Sequence, residues 1–478
     1  MNSAVAKWQE AKLGALCSIT TGDKDVNEGS LNGQFPFFTC AEKVSKSNSF
    51  SFDGEAILIA GNGNFSVKKY KGKFEAYQRT YVLQNFQISS IYLYYFINHR
   101  LSEITKDNRG STIRYIRIGD LTNYSVAFPS SSEQHNIVAK IEELFSELDK
   151  GIENLNTARA QLKVYRQALL KHAFEGKLTA QWREQNKDKL ESASALQQRI
   201  QTERAARYQQ QLADWQAAGQ TGSKPKVPKL LPPLTNKELA ELPVLPKSWC
   251  WVKFGEVFDI YVGSTPSRKR EDFWNGNIAW ISSGEVAFCR IKDTKEKITK
   301  DGYTSASTEI HPVGTILLAM IGEGKTRGQP AILDIEACHN QNTAAIRVLG
   351  TGFPSEYLYQ YLTYQYEITR KIGSGNNQKA LNKERVSDMT IPLCNTSEML
   401  EIVNLIDEKL SITNQLDQTI TTALQQSEAL RQSILKKAFS GALVAQDAND
   451  EPASVLLARI KAEIAAKPAN KRLSKDSI

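Results

Sequence analysis

Two helix-forming stretches carry the most regular pattern of apolar positions in the chain. In the first, residues 137–169, apolar side chains recur in alternating steps of four and three residues with a single gap. That spacing places them on one face of a helix and is typical of a coiled-coil seam. The second stretch, residues 402–434, keeps the spacing but has polar residues at Lys409, Thr413 and Ser427. The pattern predicts two long helices.

The ends and the pairing of these helices can also be predicted. Serine-containing starts supply N-caps, and Gly176 and Gly441 are expected to end the two helices at equivalent points. About 34 residues at 1.5 Å each give an antiparallel spacer of roughly 50 Å. The alternative is that each helix packs separately on a globule. Their matching lengths favour packing against each other.

Shorter patterns precede each long helix. Apolar runs at 55–61, 314–322 and 343–348 are bounded by Gly, Asn, Asp and Ser, which predicts strands joined by turns. Short amphipathic helices fit residues 91–100 and 356–365. Each segment is therefore expected to be a compact α/β or α+β globule.

The chain is also an internal repeat. Residues 165–181 recur as residues 430–446, with ten of seventeen positions identical. Trp8 recurs as Trp249 at a different offset, so the intervening loops differ in length. This is the signature of a tandem pseudo-repeat: two globules separated by a long antiparallel two-helix coiled coil. The predicted parts are a first globule (1–134), a helical spacer with a Pro-rich linker (135–245), a second globule (246–397) and a C-terminal helical spacer (398–478).

Composition narrows the class of protein. A hydrophobic fraction of 41% is ample for packed cores. No apolar run reaches the ~18–20 residues that cross a bilayer, and the start of the sequence lacks a signal-peptide pattern, so a soluble, cytoplasmic protein is expected. The six cysteines have no zinc-ligand spacing, which predicts no metal site. The net charge of +8 is spread along the chain and is weak evidence for polyanion binding.

No catalytic pattern in the sequence meets its structural requirements. Residues 319–326, AMIGEGKT, approximate a phosphate-binding loop, but a β-like run follows in place of the required helix. The five histidines are scattered and suggest no triad. We therefore expect no catalytic residue and no cofactor site in this chain.

Polar loops in both globules carry residue types that read DNA. Asn and Gln pair bidentately with adenine, Arg and Lys with guanine, and Ser and Thr with phosphates or bases. Ordinary solvated turns are the alternative for any one loop. The candidates in the first globule are Asn62, Asn64, Lys68, Lys69, Gln78, Arg79, Arg109, Ser111, Thr112 and Arg114. The candidates in the second are Thr265, Ser267, Arg268, Lys325, Thr326, Arg327, Gln329, Asn340, Gln341, Asn342, Ser374, Asn376, Gln378 and Lys379.

The order of these parts resembles the specificity subunit of type I restriction-modification enzymes. The resemblance covers essentially the whole chain. Its most specific features are the helix ends RQALLKHAFEGKL and RQSILKKAFSGAL and the entry LPVLPKSWCWVKFGEV to the second globule. It implies two target-recognition domains that each read half of a bipartite DNA site, with the helices setting the gap. A ~50 Å spacer predicts a gap of about six to eight base pairs.

The same resemblance implies partners. Adenine methyltransferase subunits, two copies, and restriction/translocase subunits would bind this chain, and S-adenosylmethionine, ATP and Mg would belong to those partners. A non-catalytic subunit is thus implied. A protein-binding coiled-coil scaffold or inhibitor that does not read DNA is the competing function. Candidate docking residues at the helix ends are Arg166, Lys171, Phe174, Arg431, Lys436 and Phe439, with core packing as the alternative for the two phenylalanines.

Overall fold

The computed structural model describes residues 7–221, 224–225, 227, 231–322, 324–371 and 381–466. The chain forms two compact units: unit 1 comprises the described residues of 1–158 and 419–478, and unit 2 those of 159–418. Both units therefore combine one globule with parts of both long helices. No helix in the described ranges is long and apolar enough to cross a membrane.

Within the described residues, the elements up to the end of the first long helix are nine short strands and four α-helices. They are β1 (Gln9–Lys12), α1 (Leu13–Leu16), β2 (Ser18–Thr21), β3 (Phe35–Phe38), β4 (Ser45–Ser47), β5 (Glu55–Ala60), β6 (Val67–Lys71), β7 (Glu75–Ala76), β8 (Thr80–Gln84), α2 (Ser90–Ile104), α3 (Ile118–Thr122), β9 (Ser125–Phe128) and α4 (Ser131–Phe174).

The remaining elements repeat that order after three further helices. They are α5 (Ala180–Asn186), α6 (Ala193–Ala217), α7 (Asn236–Ala240), β10 (Cys250–Lys253), α8 (Phe254–Val257), β11 (Asp259–Val262), β12 (Trp274–Ile281), β13 (Cys289–Ile291), β14 (Glu296–Ile298), α9 (Lys300–Ser305), β15 (Ile316–Ala319), β16 (Pro330–Leu333), β17 (Cys338–His339), β18 (Thr343–Arg347), α10 (Ser355–Lys371), α11 (Lys383–Asp388), β19 (Thr390–Leu393), α12 (Thr396–Phe439) and α13 (Ala453–Ala466).

Unit 1 is built on an antiparallel sheet with strand order β2-β8-β5-β6. Strand β5 is buried on both faces, which explains its continuous apolar run. Ile57 and Ile59 belong to the core on the α2 side, whereas Leu58 packs with Phe38 and Phe74 on the opposite face. That second face is covered by a smaller sheet with the strand order β4-β3-β7. Strands β1 and β9 form a separate antiparallel pair.

Unit 2 has the same strand topology with one addition. Its larger sheet has the order β11-β18-β15-β16-β13, its smaller sheet the order β14-β12-β17, and β10 pairs with β19. Each strand of unit 1 thus has a counterpart in the same place, and β13 is an extra strand that runs parallel to β16. The fold confirms the predicted duplication of an α/β globule.

The end of α4 completes the core of unit 2. Phe174 is 2% exposed. Its ring centroid lies 5.3 Å from that of Tyr357 and 5.0 Å from that of Tyr361, and it stacks on Tyr364 at 5.8 Å. Packed aromatic rings in these geometries stabilise a core beyond the area they bury.

The end of α12 completes the core of unit 1 in the same way. Phe439 is 6% exposed and lies 5.5 Å from Tyr92, 5.3 Å from Phe96 and 5.6 Å from the stacked ring of His99. The prediction that Phe174 and Phe439 are docking residues was therefore wrong, because both rings are consumed by the interior of this chain. Their core-packing alternative is correct.

The predicted helix ends are confirmed. The long helices end at Phe174 and Phe439, and Gly176 and Gly441 follow with φ of +69° each. A left-handed residue at this point lets the backbone turn away from the helix at little cost for glycine.

Cross-helix contacts in both units show that the long helices run antiparallel. In unit 2, Arg159 donates to Asp417 at 3.2 Å and Arg166 donates to Asn414 at 2.8 Å. Residue numbers rise along α4 while they fall along α12. In unit 1, Arg431 pairs with Asp149, which are the repeat equivalents of Arg166 and Asn414.

The predicted seam is only partly correct. Thr413, read as a polar interruption, is 3% exposed and donates to the Leu410 carbonyl at 2.9 Å. Tyr165, Leu416 and Leu430 fall on the predicted four- and three-residue spacing, yet their side chains are 46%, 48% and 51% exposed. A straight helix drifts from a strict seven-residue repeat, so the contact face moves to other positions along its length.

A buried tryptophan and a buried glutamate join the entry of each globule to a long helix. Trp8 Nε1 donates to Glu133 at 3.1 Å, and Trp249 Nε1 donates to Glu398 at 3.0 Å. Glu398 also forms an ion pair with Arg183 at 2.7 Å. In unit 1 the neutral amide of Gln446 donates to Glu133 at 3.2 Å.

Candidate nucleic-acid interface

Three of the polar segments selected in unit 1 meet on one surface. The Gly61 amide donates to the Arg79 carbonyl at 2.8 Å. The Gly63 amide donates to the Arg114 carbonyl at 2.8 Å, and the Ile116 amide donates to the Gly61 carbonyl at 3.0 Å. We refer to residues 61–64, 77–80 and 109–116 together as loop face 1. These backbone hydrogen bonds hold the three segments of loop face 1 together.

Most of the predicted residues on loop face 1 are exposed. Asn62 is half-buried, and the exposed ones are Asn64, Gln78, Arg79, Ser111, Thr112 and Arg114. Within the described residues, no carboxylate pairs with Arg79 or Arg114. The face therefore presents amides, hydroxyls and two uncompensated guanidinium groups, a donor set suited to phosphates and base edges.

Arg109 lies at the same face but is engaged within the unit. It forms a two-pronged ion pair with Asp120, at 2.6 and 3.2 Å. The hydrogen bond from Arg109 lowers the pKa of the Asp120 carboxyl, which also caps α3 through the Arg117 amide. Arg109 thus shapes the loop rather than offering a free cation.

Lys68 and Lys69 point to opposite faces of the sheet because strand residues alternate. Lys68 donates to the Ala41 carbonyl at 2.5 Å. Lys69 lies over the rings of Tyr94 and Tyr95, on the α2 side, and 3.7 Å from Glu142. Lys69 therefore contacts α2 and the first long helix rather than the backbone bonds that join loop face 1, and its role in reading DNA stays a prediction.

Two loops of unit 2 come together in the corresponding way. The Ser264 amide donates to the His339 carbonyl at 3.0 Å, and the Thr265 hydroxyl donates to Gln341 Oε1 at 2.6 Å. A third loop joins them through the end of β15. Ala319 donates to the Gln329 carbonyl at 3.0 Å and Met320 to the Asn342 carbonyl at 2.9 Å. We refer to residues 263–268, 325–329 and 340–343 as loop face 2.

The predicted residues on loop face 2 differ in how available they are. Ser267, Lys325 and Gln341 are exposed, whereas Thr265, Thr326, Arg327, Gln329 and Asn342 are half-buried. Arg327 donates to the Arg370 carbonyl at 3.1 Å. Four further candidates, Ser374, Asn376, Gln378 and Lys379, lie outside the described residues.

Asn340 does not offer its side chain to a ligand. It is 7% exposed, and its Oδ1 accepts from the Asn342 amide at 3.1 Å and the Thr343 hydroxyl at 3.3 Å. The prediction that Asn340 reads DNA is therefore corrected: its amide oxygen closes the turn, which is a common use of asparagine.

Arg268 is held in a fixed position. It pairs with Glu296, with Nη2 at 2.9 Å from Oε2, and its guanidinium lies 3.8 Å from the ring centre of Trp274. The side-chain hydrogen bond from Arg268 lowers the pKa of Glu296. Stacking and pairing together make Arg268 a pre-organised group at the edge of loop face 2.

One turn in each face is structurally equivalent to a turn in the other. Turn 1 (residues 77–80) and turn 2 (residues 340–343) each begin after a short strand and end at a buried threonine. A side chain on Gly22 would stand 1.8 Å from the Ala76 carbonyl, and one on Gly263 would stand 1.8 Å from the His339 carbonyl. Only glycine permits this close approach, so both turns are set by the same backbone crossing.

Sequence reasoning missed a histidine pair beneath turn 2. His311 and His339 are 28 residues apart but fully buried, with their Nε2 atoms 3.2 Å apart. An isolated bridge between His311 and Ala337 brings them together, and no local pattern reveals that pairing. The described residues contain no group of three or more metal-ligating side chains, so the pair is not part of such a cluster.

Two equivalent α/β units, each with a polar loop face and with parts of both long helices, define a duplicated module. The family model described as the type I restriction modification DNA specificity domain matches residues 6–157 and 246–426. The chain is 32% identical over 482 residues to the type I restriction enzyme EcoDI specificity subunit of Escherichia coli, covering 98% of each. It is 43% identical over 94 residues to the EcoBI specificity subunit of Escherichia coli, covering 19% of this chain and 20% of that one.

Solved structures show the same fold. An HsdS subunit from Thermoanaerobacter tengcongensis matches with a TM-score of 0.50 and 16% identity, covering 91% of this chain and 97% of that one. A chain from a study of complex assembly in the type I R-M system matches with a TM-score of 0.60 and 16% identity, covering 91% and 98%. The chain belongs to the type I restriction-modification specificity family, as its sequence resemblance predicted.

Proposed function

We propose that this chain is the DNA sequence-specificity subunit of a type I restriction-modification complex. Unit 1 reads one half of a bipartite site through loop face 1, and unit 2 reads the other half through loop face 2. The observation that carries the proposal is the repeated loop face. The framework is the same in both units, but its exposed side chains differ, as two readers of different sequences require.

The side chains assign different readout capacities to the two faces. Arg79 and Arg114 give loop face 1 two free guanidinium groups that suit guanine or phosphate, whereas Gln341 and Asn342 give turn 2 amides that suit adenine. The antiparallel helices would set a non-specific gap of about six to eight base pairs between the half-sites.

Partner subunits would supply the chemistry. Adenine methyltransferase subunits would bring S-adenosylmethionine, and restriction/translocase subunits would bring ATP and Mg, leaving this chain non-catalytic. Duplication supports two equivalent methyltransferase sites. The helix pair supports docking, since Val164, Tyr165, Ile412 and Leu416 expose apolar surface on it within unit 2. Of the predicted docking residues, Lys171 and Lys436 are exposed, whereas Arg166 and Arg431 make the cross-helix contacts.

Methylation mapping tests the function. DNA from cells that express this chain with its methyltransferase partner is expected to carry methyladenine in two short specific blocks separated by a fixed gap. A continuous target would contradict the two-reader arrangement. Salt titration of DNA binding by the same complex is the second test. An affinity independent of salt and of sequence would identify a protein scaffold instead.

A further inference from the structure

The buried histidine pair of unit 2 lies directly under turn 2. His339 is the residue before the turn, and its Nδ1 lies 2.7 Å from the Thr343 hydroxyl and 3.0 Å from the Asn340 carbonyl. On its other side, His311 Nδ1 accepts from Arg347 Nε at 3.0 Å. A continuous chain of hydrogen bonds therefore runs from Arg347 to the turn. We call Arg347, His311, His339 and Thr343 the histidine relay.

Arg347 fixes the position of every proton in the relay. A guanidinium only donates, so His311 Nδ1 must accept and its proton must be on Nε2. That proton can only be donated to His339 Nε2, 3.2 Å away. His339 must then carry its own proton on Nδ1, which donates to the turn. Each ring thus has one proton in one tautomer.

A second proton on either ring has no acceptor. On His311 it would meet the Arg347 donor, and on His339 it would meet the His311 donor. Burial, with the neighbouring charge, lowers the pKa of His311 to about 2, and burial lowers the pKa of His339 to about 4. Four charged or titratable groups of the described residues surround the pair. Arg347 from β18 contacts His311 and forms an ion pair with Glu309 at 3.0 Å. Tyr261 from β11 packs against His311, and Lys383 from α11 lies over the Tyr261 ring.

The relay ends on the groups that shape turn 2. The Thr343 hydroxyl lies 3.1 Å from the Asn340 carbonyl and 3.3 Å from its Oδ1, and that Oδ1 accepts the Asn342 amide. Gln341, which lies between Asn340 and Asn342 in the sequence, accepts a hydrogen bond from the Thr265 hydroxyl through its Oε1. Turn 1 has no such support, because Ala76 stands where His339 stands in unit 2.

We propose that His311 and His339 are positioning residues for loop face 2, which hold turn 2 in its DNA-contacting conformation only while both rings carry a single proton. Recognition of the second half-site is then acid-sensitive, and recognition of the first is not. The inference rests on the proposed function of the two units.

The test uses the full chain in complex with its methyltransferase subunits. Binding is measured to three duplexes: the mapped site, the site with its first half scrambled and the site with its second half scrambled. The ratio of Kd values gives the discrimination at each half. Lowering the pH from 7 to 5.5 is expected to reduce discrimination at the second half by up to about tenfold, since a released histidine takes up a proton at its ordinary pKa of about 6.5.

Two variants of His339 separate positioning from bulk. His339→Gln keeps one acceptor and one donor but does not titrate, so it is expected to retain discrimination at pH 7 and to show a smaller acid sensitivity, because only His311 is left to take up a proton. His339→Leu removes both groups, and its discrimination at the second half is expected to fall at least tenfold at every pH. An unchanged second-half ratio in His339→Leu would overturn the proposal.

A milder pair covers the case in which His339→Leu does not fold, as shown by circular dichroism. Thr343→Val keeps the side-chain shape but removes the hydroxyl, whereas Thr343→Ser keeps the hydroxyl. Loss at the second half in the first variant and rescue in the second support the relay, and equal behaviour of the two overturns it. A wild-type complex that discriminates at neither half at pH 7 would instead refute the proposed function, and equal acid loss at both halves would refute the relay alone.

Discussion

The two units keep the same contacts at their base and differ at their loop faces. Each has a buried Trp–Glu hydrogen bond, a phenylalanine enclosed by aromatic rings from the globule's main helix, and an arginine that reaches across the helix pair. The loop faces share a glycine crossing but otherwise use different side chains. The two copies therefore share the contacts that position the loops and differ in the side chains that the loops expose.

Substitution of the enclosed phenylalanines is expected to give the largest difference in stability between the two units. Phe174→Ala should destabilise unit 2 and Phe439→Ala unit 1, each by about 3–5 kcal/mol, because a large buried ring leaves a cavity. Limited proteolysis during thermal unfolding, with fragments identified by mass, reports which unit opens first. If both variants opened the same unit first, the assignment of each helix end to one core would be wrong.

Acidification is expected to have the next largest effect and to lower the stability of unit 2 more than that of unit 1. The pKa values of His311 and His339 are lowered on folding, so the unfolded chain binds more protons below about pH 6.5 and stability falls as pH decreases toward 4. At pH 5.5 the loss for unit 2 is about 3 kcal/mol, at about 1.4 kcal/mol per pH unit for each ring. Unit 1 has one half-buried histidine of this kind, His99, whose pKa burial also lowers. Denaturant unfolding at pH 7 and 5.5 checks this, and an equal loss in both units would contradict it.

The two buried glutamates should respond unequally to loss of charge. Glu398→Gln leaves Arg183, which is 15% exposed, without its ion-pair partner and is expected to cost about 2–3 kcal/mol in unit 2. Glu133→Gln is the matched control. Because Trp8 and Gln446, which donate to Glu133, are neutral, a cost below about 1 kcal/mol is expected. Thermal unfolding of the two variants measures the difference, and a larger effect of Glu133→Gln would reverse the interpretation.

Single substitutions on the faces should affect one half-site each. Arg79→Ala is expected to weaken discrimination at the first half-site by about 1–3 kcal/mol, and Gln341→Ala at the second, if their side chains contact base edges. Lys69→Ala is the control, because Lys69 contacts α2 and the first long helix and makes none of the backbone hydrogen bonds that join loop face 1. Competition binding with half-site mutants measures this, and a loss at both halves from either variant would indicate a general effect on folding.

Long-range pairing marks the limit of what the sequence predicts. The repeat around Gly176 and Gly441 correctly predicted equivalent helices, because helix ends depend on local residues. The alternation of strand residues was also enough to separate Lys68 from Lys69, although the prediction grouped them. By contrast, the burial of Thr413 depends on which residues of the other helix face it, and the contact of His311 with His339 depends on strands distant in sequence. Neither has a local signal.

The division of α4 and α12 between the units has a consequence for the order of folding during synthesis. All residues of unit 2 lie between 159 and 418, whereas the core of unit 1 includes Phe145 from its first segment and Phe439, Leu456 and Ile460 from its second. At about 5–20 residues per second, a ribosome needs roughly 15–60 s to travel from residue 145 to residue 439. The globule that is synthesised first is therefore completed last. Until Phe439 has been synthesised, the aromatic side chains of α2 that it covers stay exposed.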